Sequence, residues 1–426
     1  MQKVLIIVYY WPPSGGAGVQ RWVKLSKYLQ KQGHQVFVIT VNPDAASYTN
    51  IDNSLENDIN ENIKVYKTNS FEPLNIYSKL FKKKLPSAGF ANTDNSGFFS
   101  KLITFIRSNI FIPDPRRGWN KYAYKQAVEL ILKENIKTVI TSSPPHSSQL
   151  IGYKLKKNFD INWISDLRDP WTDIYYYNLL NHTLFSKYID KCYEKLILKK
   201  ADTILTVSEG LKTLFLNKNY IENADKIKVI TNGFDEEDFN GITKAHENNK
   251  FVISYIGTIT EQYNPNTFFC ALKNVIKKYP EKEIQLQFIG SLSLRVEEEL
   301  KKLELEKHYT KINYVEHKKA LEYMVNSSCL LLFIPDVKNA KGILTGKLME
   351  YIGSRKPIIC IGEKDSNAEK IILDCNSGLS FERENIEGIE TFIEKLINNY
   401  SFDFNDNEIQ KYSRRSQALV LADVIF

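Results

Sequence analysis

The sequence lacks paired cysteines. Five are present (Cys192, Cys270, Cys329, Cys360 and Cys375), an odd number with no C-x-x-C spacing. That excludes a fully paired disulfide framework and a thioredoxin-like motif, and it predicts buried free thiols in a reducing cytosol. Long hydrophobic runs are lacking as well. The nearest approach, 102–112, carries Arg107, and no stretch nears the ~20 apolar residues that span a bilayer. Met1-Gln2-Lys3 runs straight into an apolar segment with no small-residue cleavage site, so it reads as a strand and not a signal peptide. A cytoplasmic chain is the expectation. Charge of one sign is scarce too: 57 Lys+Arg against 50 Asp+Glu leave +7, which excludes a histone-like tail. No repeat at solenoid periods is visible, and no cluster of His, Cys, Asp and Glu suggests a metal, so none is expected.

What is present is an ordinary globular composition, 43% hydrophobic and 25% charged over 426 residues. At ~150 residues per domain this allows two or three domains. The pattern opens with an apolar strand, Val4 to Tyr10, the turn Pro12 to Gly18, a helix from Val19 to Lys31 and a second strand, Gln35 to Val41. A strand, glycine loop, helix and strand in that order begin a doubly wound α/β domain. Strands follow at Thr138 to Thr141, Ile161 to Ser165, Thr203 to Val207 and Lys228 to Thr231, with helices at Gln149 to Lys156 and Phe185 to Lys200. The polar stretch Asp235 to Lys250 reads as a linker. The pattern then restarts with a strand at Phe251 to Ile256 and a helix at Asn266 to Tyr279. Further strands are expected at Ile284 to Ile289, Ile312 to Tyr314, Cys329 to Ile334 and Pro357 to Ile361, and an amphipathic helix over Asp406 to Phe426. The fold class is therefore α/β with two tandem doubly wound domains, 1–240 and 241–405, the final helix returning near the first.

Three segments carry chemistry. Gly15, Gly16 and Gly18 stand where a phosphate loop would stand. The spacing is not G-x-G-x-x-G, and the second strand ends Thr40-Val41-Asn42 without a ribose-binding acid, which disfavours a dinucleotide; a tight turn alone also fits. Asp166-Leu167-Arg168-Asp169-Pro170-Trp171 follows a strand, at the sheet edge where open α/β sheets bind ligands. Arg168 suits a phosphate, and Asp166 or Asp169 suits a hydroxyl or a general base, against an internal Arg–Asp ion pair. His146 follows the preceding strand toward the same edge as a catalytic candidate. Finally, Thr345-Gly346-Lys347-Leu348-Met349-Glu350-Tyr351 opens a helix, with Thr345 as N-cap. The free N–H groups of Gly346 and Lys347 and the Lys347 ammonium suit a diphosphate, and Glu350 shares their face for a ribose. A Lys–Glu pair on a solvated face is the alternative.

Taken in order, these segments resemble glycosyltransferase family 4. Further carriers are Tyr9-Tyr10-Trp11-Pro12-Pro13, Val207-Ser208-Glu209, Val229 to Asp235 and Tyr255-Ile256-Gly257-Thr258. The resemblance covers essentially the whole length and implies the GT-B fold, two Rossmann-like domains with a cleft between them. It implies a nucleotide-diphospho-sugar donor on the second domain, an acceptor on the first, transfer with retention and no metal. Gly257 and Thr258 then join the donor site. The chain departs from the family at Gly342, where a glutamate is usual, and near Thr258 and Asn264, where Arg and Lys are usual. Lys347 with Arg168 is expected to replace that phosphate clamp.

The charge is localised. Residues 77–119 hold eight basic against two acidic residues, with Phe81, Phe90, Phe98, Phe99, Phe105, Phe111 and Trp119 among them. Basic and aromatic residues together suit an anionic membrane surface, and so a peripheral site for a lipid-linked acceptor; a solvated insertion is the alternative. No nucleic-acid motif accompanies them. The function expected is sugar transfer from a nucleotide-diphospho-sugar to a glycan acceptor in surface polysaccharide or glycoconjugate assembly. A binding protein without turnover, or a hydrolase or epimerase acting on a free nucleotide sugar, also fits these residues.

Overall fold

The computed structural model describes the chain except residues 49–50, 73–104, 176 and 244–249. Lys79, Lys82, Lys83, Lys84 and Lys101 of the basic segment lie outside the described residues. The chain forms two compact units, Met1–Ile230 with Ala418–Phe426, and Thr231–Gln417.

Unit 1 is built on seven parallel strands: β1 (Lys3–Ile7), β2 (Gln35–Val41), β3 (Lys64–Thr68), β4 (Thr138–Ser143), β5 (Asn162–Leu167), β6 (Thr203–Thr206) and β7 (Ile227–Val229). Their order is β3-β2-β1-β4-β5-β6-β7. The helices are α1 (Ala17–Lys31), α2 (Asn120–Glu134), α3 (Ser148–Asn158), α4 (Leu184–Lys200) and α5 (Glu209–Asn217). The central strand reads as an unbroken apolar run because both faces are covered. Leu5 and Ile7 pack in a layer with Ala127 of α2 and Ile151 of α3; Val4 and Ile6 pack in the opposite layer with Trp22 and Leu25 of α1.

Unit 2 repeats the scheme with β8 (Lys250–Ile256), β9 (Glu283–Ile289), β10 (Tyr309–Ile312), β11 (Cys329–Phe333), β12 (Ile358–Ile361) and β13 (Gly378–Phe381), ordered β10-β9-β8-β11-β12-β13. Its helices are α6 (Asn266–Lys278), α7 (Leu294–Lys302), α8 (His317–Val325), α9 (Gly346–Gly353), α10 (Asn367–Asp374), α11 (Ile386–Ile397) and α12 (Asp406–Gln410); α13 (Arg414–Ile425) follows. In both sheets the strand order reverses beside the first strand of the unit, at β1/β4 and at β8/β11. The crevice at the carboxyl ends of such a reversal is where open α/β sheets bind ligands.

Several elements differ from the sequence expectation. The strand expected at Ile312 to Tyr314 lies at Tyr309–Ile312, held in register with Leu286 to Ile289 of β9. The edge strand β3, Lys-Val-Tyr-Lys-Thr, was not expected, because a half-exposed edge carries no apolar run. The single C-terminal helix is two, α12 and α13. Phe234 interrupts it: its N–H donates to the Tyr412 carbonyl and its carbonyl accepts from Arg414 N. The boundary between the units falls at Ile230, ahead of the stretch expected to link them, and Phe239 and Ile242 of that stretch pack on the unit 2 core. Cys329, Cys360 and Cys375 are buried as expected, whereas Cys192 is exposed. Among the described residues no helix is long and apolar enough to cross a membrane.

Candidate active site

In unit 2 the β8/β11 reversal carries the densest arrangement. β8 ends at Ile256, and Gly257 follows at φ +123°, donating its N–H to the Ile289 carbonyl at 2.7 Å. A Cβ at this position would stand 2.6 Å from Lys347 Cε, so only glycine lets the lysine lie against the backbone. Lys347 is the second residue of α9. Its ammonium donates to the Tyr255 hydroxyl at 2.5 Å and sits 4.3 Å from that ring centroid and 5.8 Å from that of Tyr263. The Tyr255 hydroxyl in turn donates to the Thr258 carbonyl at 2.9 Å. One turn along α9, the buried Tyr351 hydroxyl accepts the Ile256 N–H at 2.9 Å. The same helix face therefore fixes the strand end and aims the lysine at it.

Burial pushes the Lys347 pKa down to about 7, against the opposing pull of Glu350. An ammonium packed among aromatic rings is costly to keep charged without an anion beside it. The other groups here suit one. Thr345 stands at the N-cap position of α9, but its side chain makes no capping bond, contrary to expectation; its buried Oγ1 has no partner. The N–H groups of Gly346 and Lys347 belong to a first helical turn, whose donors have no intrahelical acceptors. Glu350 Oε1 lies 2.9 Å from Nε2 of His317, the first residue of α8. Sequence reading named Glu350 and missed His317, because the pair is 33 residues apart and joins two helices.

In unit 1 the expected residues separate into different roles. Asp166 is corrected: it is fully buried and its oxygens are occupied. Oδ1 accepts from Arg21 Nη2 at 3.0 Å, and Oδ2 accepts from Trp22 Nε1 at 2.8 Å and Ser142 Oγ at 2.7 Å. It is the counter-ion of a buried arginine from α1, and no part of it faces a ligand. Arg168 joins the strand ends to the glycine loop, donating Nε–H to the Ser143 carbonyl at 2.9 Å and Nη1–H to the Gly18 carbonyl at 2.6 Å. A Cβ on Gly18 would come within 2.9 Å of that nitrogen. Gly16, at φ +106°, is the N-cap of α1, and Gly15 precedes it half-buried. Asp169 keeps an open carboxylate: no hydrogen bond reaches it among the described residues, and burial raises its pKa while Arg168 lowers it.

His146 stacks on Trp171, centroids 4.5 Å apart and planes 14° apart. Burial pushes its pKa down to about 3, with Arg168 adding to the shift, so the ring is neutral at physiological pH. Trp171 donates to Asp190 Oδ1 and Tyr177 to Oδ2, each at 2.8 Å; burial raises the Asp190 pKa to about 6 against these two bonds. Trp119, expected among membrane-facing aromatics, is instead a core residue, fully buried and donating to Thr68 Oγ1 at 2.8 Å.

Comparison with known proteins agrees with this architecture. The Glycosyltransferase Family 4 pattern matches residues 15–238, more than half of the chain, and the Glycosyl transferases group 1 pattern matches residues 236–416. No curated protein matches the chain significantly. Among solved structures, sucrose-phosphate synthase from Thermosynechococcus elongatus is similar at 13% identity and TM-score 0.62, covering 100% of this chain and 98% of its own. The lipopolysaccharide outer core galactosyltransferase WaaB is similar at 14% identity and TM-score 0.59, covering 100% and 99%. TarM from S. aureus, solved as a variant with Fondaparinux, alpha-GlcNAc-glycerol and UDP, is similar at 12% identity and TM-score 0.58, covering 100% of both chains. At such identities the structures establish the GT-B fold, and the sequence pattern establishes the kinship: the chain belongs to glycosyltransferase family 4.

Proposed function

We propose that this glycosyltransferase moves a sugar from a nucleotide-diphospho-sugar held by unit 2 to a glycan acceptor held by unit 1, in assembly of a surface polysaccharide or glycoconjugate. The observation that carries the donor half is Lys347. It is a partly buried ammonium against Gly257, beside an unpartnered Thr345 hydroxyl and the first-turn N–H groups of α9. A diphosphate there would stabilise the charged lysine and satisfy the orphan donors at once. Glu350, oriented by His317, is the proposed acceptor of the ribose hydroxyls. Asp169 is the proposed group on the acceptor or sugar hydroxyl, Arg168 a proposed phosphate contact, and neutral His146 a proposed partner to the acceptor.

A panel of nucleotide sugars with detection of released nucleotide tests this reading. One donor is expected to release nucleotide only when acceptor is added, and K347A is expected to abolish it. Binding without release would assign a carrier; release without acceptor would assign a hydrolase or epimerase. The anomeric configuration of the product, read by NMR, tests the retention that the family implies. The proposed docking on anionic membrane rests on Lys82 to Lys84 and their basic neighbours. It predicts flotation with anionic but not neutral vesicles, lost when the three lysines are changed to glutamate.

A further inference from the structure

The first half of α4 has its polarity inverted. A surface helix normally turns its apolar stripe inward and its polar face to water. Here Ser186, Asp190 and Glu194 are buried. Asp190 accepts hydrogen bonds from Trp171 and Tyr177, and Glu194 accepts from Thr172 and Lys218. Leu184, Phe185 and Tyr188 stand outward instead, 87%, 72% and 68% exposed. Folding of the chain gains nothing from three large apolar side chains left in water, so their presence answers to something outside the fold.

A second element joins them. Asn109 clamps residues 105–110 to the start of α4. Its Oδ1 accepts from Thr183 N–H and from Ser186 Oγ, each at 2.6 Å, and its Nδ2 donates to the Asn181 carbonyl at 3.2 Å. This element adds Ile110, 66% exposed, and Phe105, 46% exposed. Five large apolar side chains on two clamped elements make a patch, and patches of that kind mark interaction surfaces.

Charge decides what covers it. Leu184 and Tyr188 open a stripe that continues through Lys191, Lys195 and Lys199 at i+3 or i+4 spacing. The three lysines are exposed, and none is in an ion pair among the described residues. The two acids of the helix, Asp190 and Glu194, are the buried ones. A second copy of the chain seated symmetrically on the patch would bring lysines toward lysines. An anionic lipid surface suits both parts: its acyl boundary takes the apolar tip and its headgroups take the ammonium groups.

We propose that the start of α4 together with residues 105–110 is a docking surface for anionic lipid, with Leu184 and Phe185 entering the acyl boundary and Lys191, Lys195 and Lys199 lying on headgroups. This rests on the reading that the protein docks on an anionic membrane, and it assigns that contact to a surface independent of Lys82 to Lys84.

The test uses the full chain and vesicles of phosphatidylcholine, with and without phosphatidylglycerol. Flotation is expected with the anionic vesicles only. The double variant L184S/F185S is expected to weaken it ten-fold or more, and K191Q/K195Q/K199Q by about five-fold for each lysine lost. Unchanged nucleotide-sugar binding shows that both variants fold. Cys192, the exposed cysteine of α4, gives a direct readout. An environment-sensitive dye placed there, in a C270S background, is expected to shift to the blue on adding anionic vesicles. A dye that does not shift while the protein floats overturns the proposal, as does flotation that survives both variants and is lost only in K82E/K83E/K84E; the membrane reading then stands on the other segment. Equal flotation with neutral vesicles overturns the anionic assignment. A change of oligomeric state in L184S/F185S, read by light scattering, would make the patch an interface between copies and overturns it too. Flotation with neither vesicle overturns the membrane reading itself.

Discussion

Lys347 is the residue on which the proposed donor site turns, and its pH behaviour follows from its surroundings. Burial lowers its pKa to about 7, so the free protein holds a growing fraction of neutral amine as pH rises past that value. A nucleotide-sugar diphosphate bound there as proposed would favour the charged form, raise the pKa and take up a proton on binding. Affinity is therefore expected to be full below about pH 7 and to fall as pH rises above it, by up to ~10-fold per pH unit. Calorimetry in buffers of different ionisation enthalpy reads that uptake. A pH-independent affinity with no proton uptake would remove the lysine from the phosphate. K347A is expected to weaken binding by roughly 10- to 100-fold, the range for a hydrogen bond to a charged group. Gly257 belongs to the same contact. G257A must hold φ +123°, a cost of about 1–3 kcal/mol, and its methyl would displace Lys347. Loss of nucleotide-sugar binding with unchanged circular dichroism is the expected result.

Asp166 has the opposite character. Its pair with Arg21 is fully buried on both sides, and removing one partner strands a charge in the core. D166A is expected to cost about 3–5 kcal/mol of unfolding free energy, measured by denaturant titration. A small change in stability with complete loss of activity would return Asp166 to the catalytic list.

At the scale of elements, α13 shows how local pattern becomes tertiary structure. Its apolar residues Ala418, Leu421 and Ile425 are buried in the layer that holds Val4, Ile6 and Trp22, while Leu419 and Val420 are exposed. L421A should leave a cavity in that layer and destabilise by about 2–5 kcal/mol, seen as a lower melting temperature. The element order of both sheets was legible because buried parallel strands such as Leu330 to Phe333 are continuous apolar runs, and helices such as α1 show a 3.6-residue period. Edge strand β3 was not, since one open side removes the need for an apolar run. The break between α12 and α13 was not either, because its cause is Phe234, distant in sequence.

For the whole molecule, the two units carry separate functions in the proposed reaction. Hydrogen exchange with the cognate nucleotide sugar is expected to show its strongest protection at 256–258 and 345–350 in unit 2. Strongest protection at Gly15 to Gly18 would move the donor to unit 1.

Sequence alone determined the class of fold, the two-unit plan and the segments holding the candidate site, because periodicity, glycine placement and helix starts are local properties. Lys347, Glu350 and Gly257 were therefore legible as candidates, and the structure sets Lys347 against Gly257. Only tertiary structure decided what each group touches. It buried Asp166 under Arg21, oriented Glu350 with His317 and stacked His146 on Trp171. Those outcomes depend on burial and on contacts between residues tens to hundreds of positions apart, which a linear pattern does not encode.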